Sequence, residues 1–369
     1  MHGSAVSTAR YWPFVVCLEC CVPTGHATAA APEDARPVAA ALQDSPSVSL
    51  DNARIAMSVA LPDATRGFYR GTRFDWSGMV TSLCSGGQRF YGPWFERISP
   101  SVRDFSYDGD AVVASTMSNA TGPAEEFDPI DSPPGFDRAK PGDSFIKIGV
   151  GVLRRPDSSG YDHYHTYDIL DSGHWSSRRT GSNRLVLIQE VTDPRSGYAY
   201  RYTKRLELVP GAPRMIISHT LENRGTMAIH STVYDHNFLT LDGHPTQAGL
   251  AVEVPFPIRS DATAADAAIA GGRATLARAP DTQGSIHFSI AGFGPGAGDY
   301  RVTVTSADQR AAVTVTGDRP LDKFSLWSIR SVVAVEPFIR VDVAAHDTFR
   351  WRYVYDYRAG SGAAVPCPN

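Results

Sequence analysis

The chain has 369 residues, of which 42% are apolar, 20% charged and 10% aromatic. That composition excludes a disordered or fibrous chain, and the length allows one large core. Lys and Arg number 35 against 39 Asp and Glu, a net charge of −4, so no basic surplus points to nucleic acid and no Lys/Arg run to an anionic membrane.

Residues 1–30 are expected to be a leader. Arg10 supplies a positive start, Trp12 to Val22 a short apolar run, and Ala27-Thr28-Ala29 the small residues of a cleavage site. The implied location is periplasmic or secreted; a misassigned start or a disordered leader is the alternative, since Glu19 interrupts the apolar run. Cys17, Cys20 and Cys21 lie in this segment, and no second cysteine pair completes a zinc site around them. Removal of the leader leaves Cys84 and Cys367, whose pairing the sequence leaves open. Residues 31–49, rich in Ala and Pro, are read as a linker, 50–358 as the folded body and 359–369 as a flexible tail. Beyond the leader no apolar stretch reaches the roughly 18–20 residues that span a bilayer.

The body is predicted to be β throughout. Ser144–Leu153, Arg184–Val191, Arg214–Leu221, Ile229–Leu241, Ser285–Ile290, Tyr300–Thr305 and Ala311–Thr316 are β-branched, aromatic or alternating runs. Turn signals such as Pro210-Gly211, Asn223-Arg224-Gly225, Asp242-Gly243 and Gly271-Gly272 separate them. Asp261–Ala270 alone resembles a helix. Many strands without intervening helices predict an all-β fold, a large antiparallel β-sandwich.

Two segments concentrate acid–base chemistry. His236, flanked by Asp235 and Asn237 in a predicted strand, suits a general acid, because imidazole titrates near neutral pH; a structural strand histidine is the alternative. Glu336 interrupts an apolar strand, where a carboxylate needs a partner or a task. Partial desolvation makes it a candidate general base; an ion pair with Lys323, Arg330 or Arg340 is the alternative. Arg70, Arg73 and Trp76 crowd one short aromatic stretch suited to sugar hydroxyls and C–H faces, or to a surface plug. Glu125 and Glu126 are expected in a long Pro/Gly-rich loop of the kind that often forms a lid; Glu126 is a candidate for binding hydroxyls, with a solvated acidic pair as the alternative. His163 and His165, two apart, would share a strand face; His165 is preferred as a sugar contact over a metal ligand. Lys323 is a candidate for a sugar hydroxyl or carboxylate and Trp327 for stacking, against plain strand packing.

These segments carry a resemblance. Asp235-His236-Asn237-Phe238-Leu239-Thr240-Leu241-Asp242-Gly243 is similar to the Asn-His-Ser-Tyr-Phe-Asn-Leu-x-Gly motif of the galactose mutarotase (aldose 1-epimerase) superfamily, whose His is the catalytic acid. Ala334-Val335-Glu336-Pro337-Phe338 takes the place of Cys-Leu-Glu-Thr-Gln, whose Glu is the base, and Val354-Tyr355-Asp356-Tyr357 resembles the final strand. The likeness runs in order over most of residues 65–358. It implies the family's supersandwich and an isomerase that opens a cyclic sugar and recloses it on the other face. Glu336 and His236 would act from opposite sides of the ring, about one pyranose apart, while Arg70, Arg73, Trp76, Glu126, His165, Asp235, Asn237 and Lys323 would bind substrate. No metal or organic cofactor is implied. The partner would be a small sugar or oligosaccharide, and the assembly a monomer or dimer. A lyase or glycoside-cleaving enzyme on the same scaffold, or a non-catalytic carbohydrate-binding protein, are the rival functions.

Overall fold

A computed structural model describes residues 32–360. The expected leader with its three cysteines, and Cys367, lie outside the described residues. Cys84, buried in the strand Met79–Ser85, is disulfide-bonded. No helix among the described residues is long and apolar enough to cross a membrane.

Alternation shapes the larger layer. Arg184–Asp193, Tyr198–Leu208 and Arg214–Asn223 each place alternate residues inward, as period-two side chains demand. They join Thr348–Ala359 and Ala311–Gly317 at the centre of a ten-stranded sheet. Against it lies a five-stranded sheet ordered Ile286–Ser289, Lys323–Ile329, Val332–Val343, Ile229–Phe238, Gly122–Phe127. Both sheets are antiparallel throughout. Val233, Val335 and Ile339 of the small sheet and Met215, Tyr353 and Tyr355 of the large one share a single buried core. The predicted all-β sandwich is therefore the fold.

The small sheet is unusual in being covered on its other face too. A second buried cluster, including Phe68, Phe74, Trp94, Phe145 and Phe238, lies there, covered by a loop of residues 61–78 and by segments 92–121 and 129–168, which carry short strands of their own. Strands with two covered faces lose the polar/apolar alternation. Nine of the ten residues of Ile229–Phe238 are buried, charged ones included.

Three local expectations are corrected. The stretch read as a linker is structured. Arg36–Pro37 pairs with Ile98 and Arg97, Val38–Asp44 is a helix that buries Ala41, and Ser47–Asp51 pairs with Ile55–Ala60. Ser144–Leu153 is a hairpin of Ser144–Lys147 and Gly151–Arg154, not one strand. Gly149 turns it at φ +79°, where a Cβ would meet the Asp75 carboxylate at 2.6 Å. Asp261–Ala270 is not helical: Ala267–Ala270 folds back over Gly271-Gly272 to pair with Arg273–Leu276, so sheet pairing outweighs the helix preference of alanine.

Candidate active site

Strand register builds the floor of a cavity on the loop-covered face of the small sheet. Tyr234 pairs with Glu126 on one side and Phe338 on the other, and Phe338 pairs with Lys323. One step along, His236 pairs with Ala124, and Glu336 pairs with Ser325. A further step pairs Trp327 with His287. Because side chains alternate, these residues share one face. The loops add Arg73, Trp94, Asp104, Phe105, Ser118, His163 and Tyr164 as walls around a cavity of about 200 Å³.

The floor carries a contact between acid and base candidates. His236 Nε2 lies 3.2 Å from Glu336 Oε1, and Ser325 Oγ donates to Glu336 Oε2 at 2.7 Å. The expected separation by one sugar ring, on facing walls, is overturned: the two groups stand side by side on adjacent strands. His236 stacks on Phe238, ring centres 3.7 Å apart, and meets the edges of Phe74 and Trp327. This apolar packing penalises charge on both groups. Burial pushes the Glu336 carboxyl up to about 7, against the opposing Ser325 hydrogen bond. Burial, with Arg73 nearby, holds His236 well below its ordinary value.

A second ionic group borders the cavity. Arg73 Nε donates to Glu126 Oε2 at 2.8 Å, and the Tyr234 hydroxyl donates to the same oxygen at 2.6 Å. His163 Nδ1 lies 2.6 Å from Glu126 Oε1. Burial alone would raise Glu126, but the Arg73 guanidinium and His163 outweigh it and hold the carboxylate ionised. Arg73 also reaches Ser118 and Asp104 and lies over the Tyr164 ring.

The sequence-predicted residues divide accordingly. Glu336, His236, Arg73 and Lys323 line the cavity. Glu126 stands in the buried strand Gly122–Phe127 rather than in the expected loop, behind Arg73, and is neither a solvated acid nor a direct lining group. Asp235 and Asn237 face away: Tyr355 donates to Asp235 at 2.7 Å, and Asn237 Nδ2 donates to Val335 O at 3.0 Å. Period two requires this, since neighbours of His236 in a strand point to the opposite face. Trp76 is packing, stacked on Trp175 with its indole N–H on Gly71 O. His165 is exposed and outside the cavity; residues 162–165 form a turn, so the same-face argument fails and His163 enters instead. Arg70 lines a different, larger cavity of about 940 Å³ with Arg36, Phe68 and Asn119. Its Asp44 is an exposed partner of Arg36, and neither a histidine nor a glutamate is among its lining residues. Sequence reasoning weighed His163 but preferred His165, and it missed Tyr234, Asp104, Ser118 and His287. Of these four, Tyr234 alone had a signal, being two residues from His236 in one strand.

No protein-family model and no curated protein matches the sequence. Solved structures do. The Slr1438 protein from Synechocystis sp. PCC 6803 is 15% identical with a TM-score of 0.51, over 86% of this chain and 97% of that one. A galactose mutarotase-like protein from Lactobacillus casei ATCC 334 is 11% identical with a TM-score of 0.48, over 85% and 100%. A GalM/aldose epimerase homologue from C. elegans is 10% identical with a TM-score of 0.45, over 86% and 100%. At these identities the likeness is one of fold. What is met at that level is the predicted fold class, a large all-β sandwich.

Proposed function

We propose that the protein is an aldose 1-epimerase-type isomerase that interconverts sugar anomers, with Glu336 and His236 as its acid–base pair. The observation that carries this reading is their 3.2 Å contact on the floor of an aromatic-walled cavity. Adjacent groups suit the chemistry. The anomeric hydroxyl oxygen and the ring oxygen are bonded to the same carbon, so one site must serve two neighbouring atoms. Burial leaves the pair's one proton on Glu336, so Glu336 gives a proton to the ring oxygen while neutral His236 takes the anomeric O–H proton, the reverse of the roles the resemblance implies. The bond from C1 to the ring oxygen breaks, and C1 becomes the carbonyl carbon of the open aldehyde. Rotation about C1–C2 presents the other face, and the same two groups, with roles exchanged, reclose the ring. Protons balance over the cycle. Each group is worth about 10²–10⁴-fold.

Two further features favour this reading. Trp94, Phe105, Trp327 and Phe338 offer aromatic faces for sugar C–H surfaces. A cavity of about 200 Å³ falls below the roughly 300–1,000 Å³ of common ligand pockets, which suits one ring better than a polymer. The test is saturation-transfer NMR on free sugars. Accelerated anomer exchange is expected, with Glu336→Gln and His236→Asn each lowering it about 10²–10⁴-fold in folded protein. Exchange that survives both substitutions, or cleavage of an oligosaccharide without exchange, would refute the assignment.

A further inference from the structure

Lys323, exposed at the edge of this cavity, makes no ion pair among the described residues, and the carboxylate its charge acts on, at longer range, is Glu336. Its neighbour Asp322 is held by Arg340 at 3.0 Å. Asp104 is engaged by Arg73 and Ser118, Glu126 by Arg73, His163 and Tyr234, and Glu336 by Ser325 and His236. Asp261 accepts from the Ser289 backbone and hydroxyl. What Lys323 does touch is a ring: its ammonium lies 5.2 Å from the centre of Phe338, over a face of the cavity wall. His287, from the edge strand, lines the same cavity.

Register fixes where this cation stands relative to the chemistry. Glu336 pairs with Ser325, and Lys323 is the next residue of that strand on the same face. Such diagonal neighbours lie roughly 7–8 Å apart, about the width of a sugar ring. A ring with its anomeric carbon at Glu336 and His236 therefore presents the substituent on its far side to Lys323. Neutral hydroxyls need no full charge, whereas an anion gains a charge-assisted hydrogen bond in a setting of aromatic rings.

We propose that the sugar this site takes carries an anionic substituent, a carboxylate or a phosphate, bound by Lys323 with His287 at its flank. This rests on the sugar-binding reading above but not on turnover. The experiment is calorimetric titration of wild type, Lys323→Met and Lys323→Arg with glucuronic acid, galacturonic acid, glucose 6-phosphate, glucose and galactose, with anomer exchange followed on the same panel. At least one anionic sugar should bind about tenfold or more tighter than its neutral counterpart. Lys323→Met should erase that preference and Lys323→Arg restore most of it, with the effect on exchange carried by KM. The two acidic arms separate uronic acids from sugar phosphates. Equal affinity for charged and neutral sugars, or a preference that survives Lys323→Met, would overturn the inference. Lys323-dependent binding without exchange would break the epimerase reading and leave this one standing.

Discussion

Glu125 and Glu126 are consecutive, both fully buried, and point to opposite faces of one strand. Glu125 enters the layer between the sheets. There it meets Lys204 and His219 Nε2, the latter at 2.7 Å, while Lys204 also lies 3.6 Å from Asp75 and donates to Ser77 O at 2.9 Å. Asp235 joins this layer, its carboxyl pushed well up by burial and by Glu125. Glu126 faces the cavity side, beside Arg73 and one residue pair away from His236 and Glu336. Buried charge is thus found on both faces of the strand. What separates a site from a structural network here is access. The interlayer groups contact one another and the core, whereas Arg73, His236 and Glu336 line open volume. The one strongly raised carboxyl on that open face, Glu336, touches a histidine rather than a lysine.

The comparison can be broken most forcibly at Lys204. Lys204→Met strands Glu125 and Asp75 as buried acids, so stability should fall by about 3–5 kcal/mol in denaturant titrations, while the molecules that remain folded exchange anomers as before. Loss of exchange with unchanged stability would move the catalytic network into the interlayer. Glu336→Gln should act in the opposite sense. The unfolded carboxyl titrates near 4.5 and the folded one near 7, so between these values the native state binds the extra proton and loses stability as pH rises. Above pH 7 the ionised group is a liability, and Gln should raise stability by about 1–3 kcal/mol at pH 8 and by little at pH 4. A variant less stable than wild type at pH 8 would contradict this. The smallest effects belong to Arg70→Ala and His165→Ala, exposed residues outside the cavity. Each should change stability by no more than about 0.5 kcal/mol and leave exchange rates in place; a large loss of rate in either would extend the site beyond its described walls.

The long strands were legible because their pattern is local. Arg184–Asp193 and Arg214–Asn223 alternate cleanly, with one face on the core. The pair Glu336 and His236 was legible through residue type, each being a titratable group in an apolar strand, and the family resemblance joined them. Asp235 and Asn237 were misassigned because proximity in sequence was allowed to outweigh strand period. Arg70 and Arg73 differ by three loop residues, and no periodicity exists in a loop to decide which one turns inward. His163 could be preferred to His165 only by knowing that the segment is a turn packed against Glu126. The linker misreading arose from composition, since Ala and Pro suit a short docked helix as well as a free tether.

Under the proposed function Glu336 and His236 share one transferable proton, and the pH dependence of anomer exchange tests that most directly. With His236 held low by burial and Glu336 raised to about 7, the pair carries a single proton only between those two values. Saturation-transfer rates measured from pH 4 to pH 9 should rise as the first proton leaves, below the ordinary histidine range, and fall again above an apparent pKa near 7. Glu336→Gln should remove the alkaline limb along with most of the rate. A profile that keeps rising through pH 9, or a bell that Glu336→Gln preserves, would contradict the assignment of the pair.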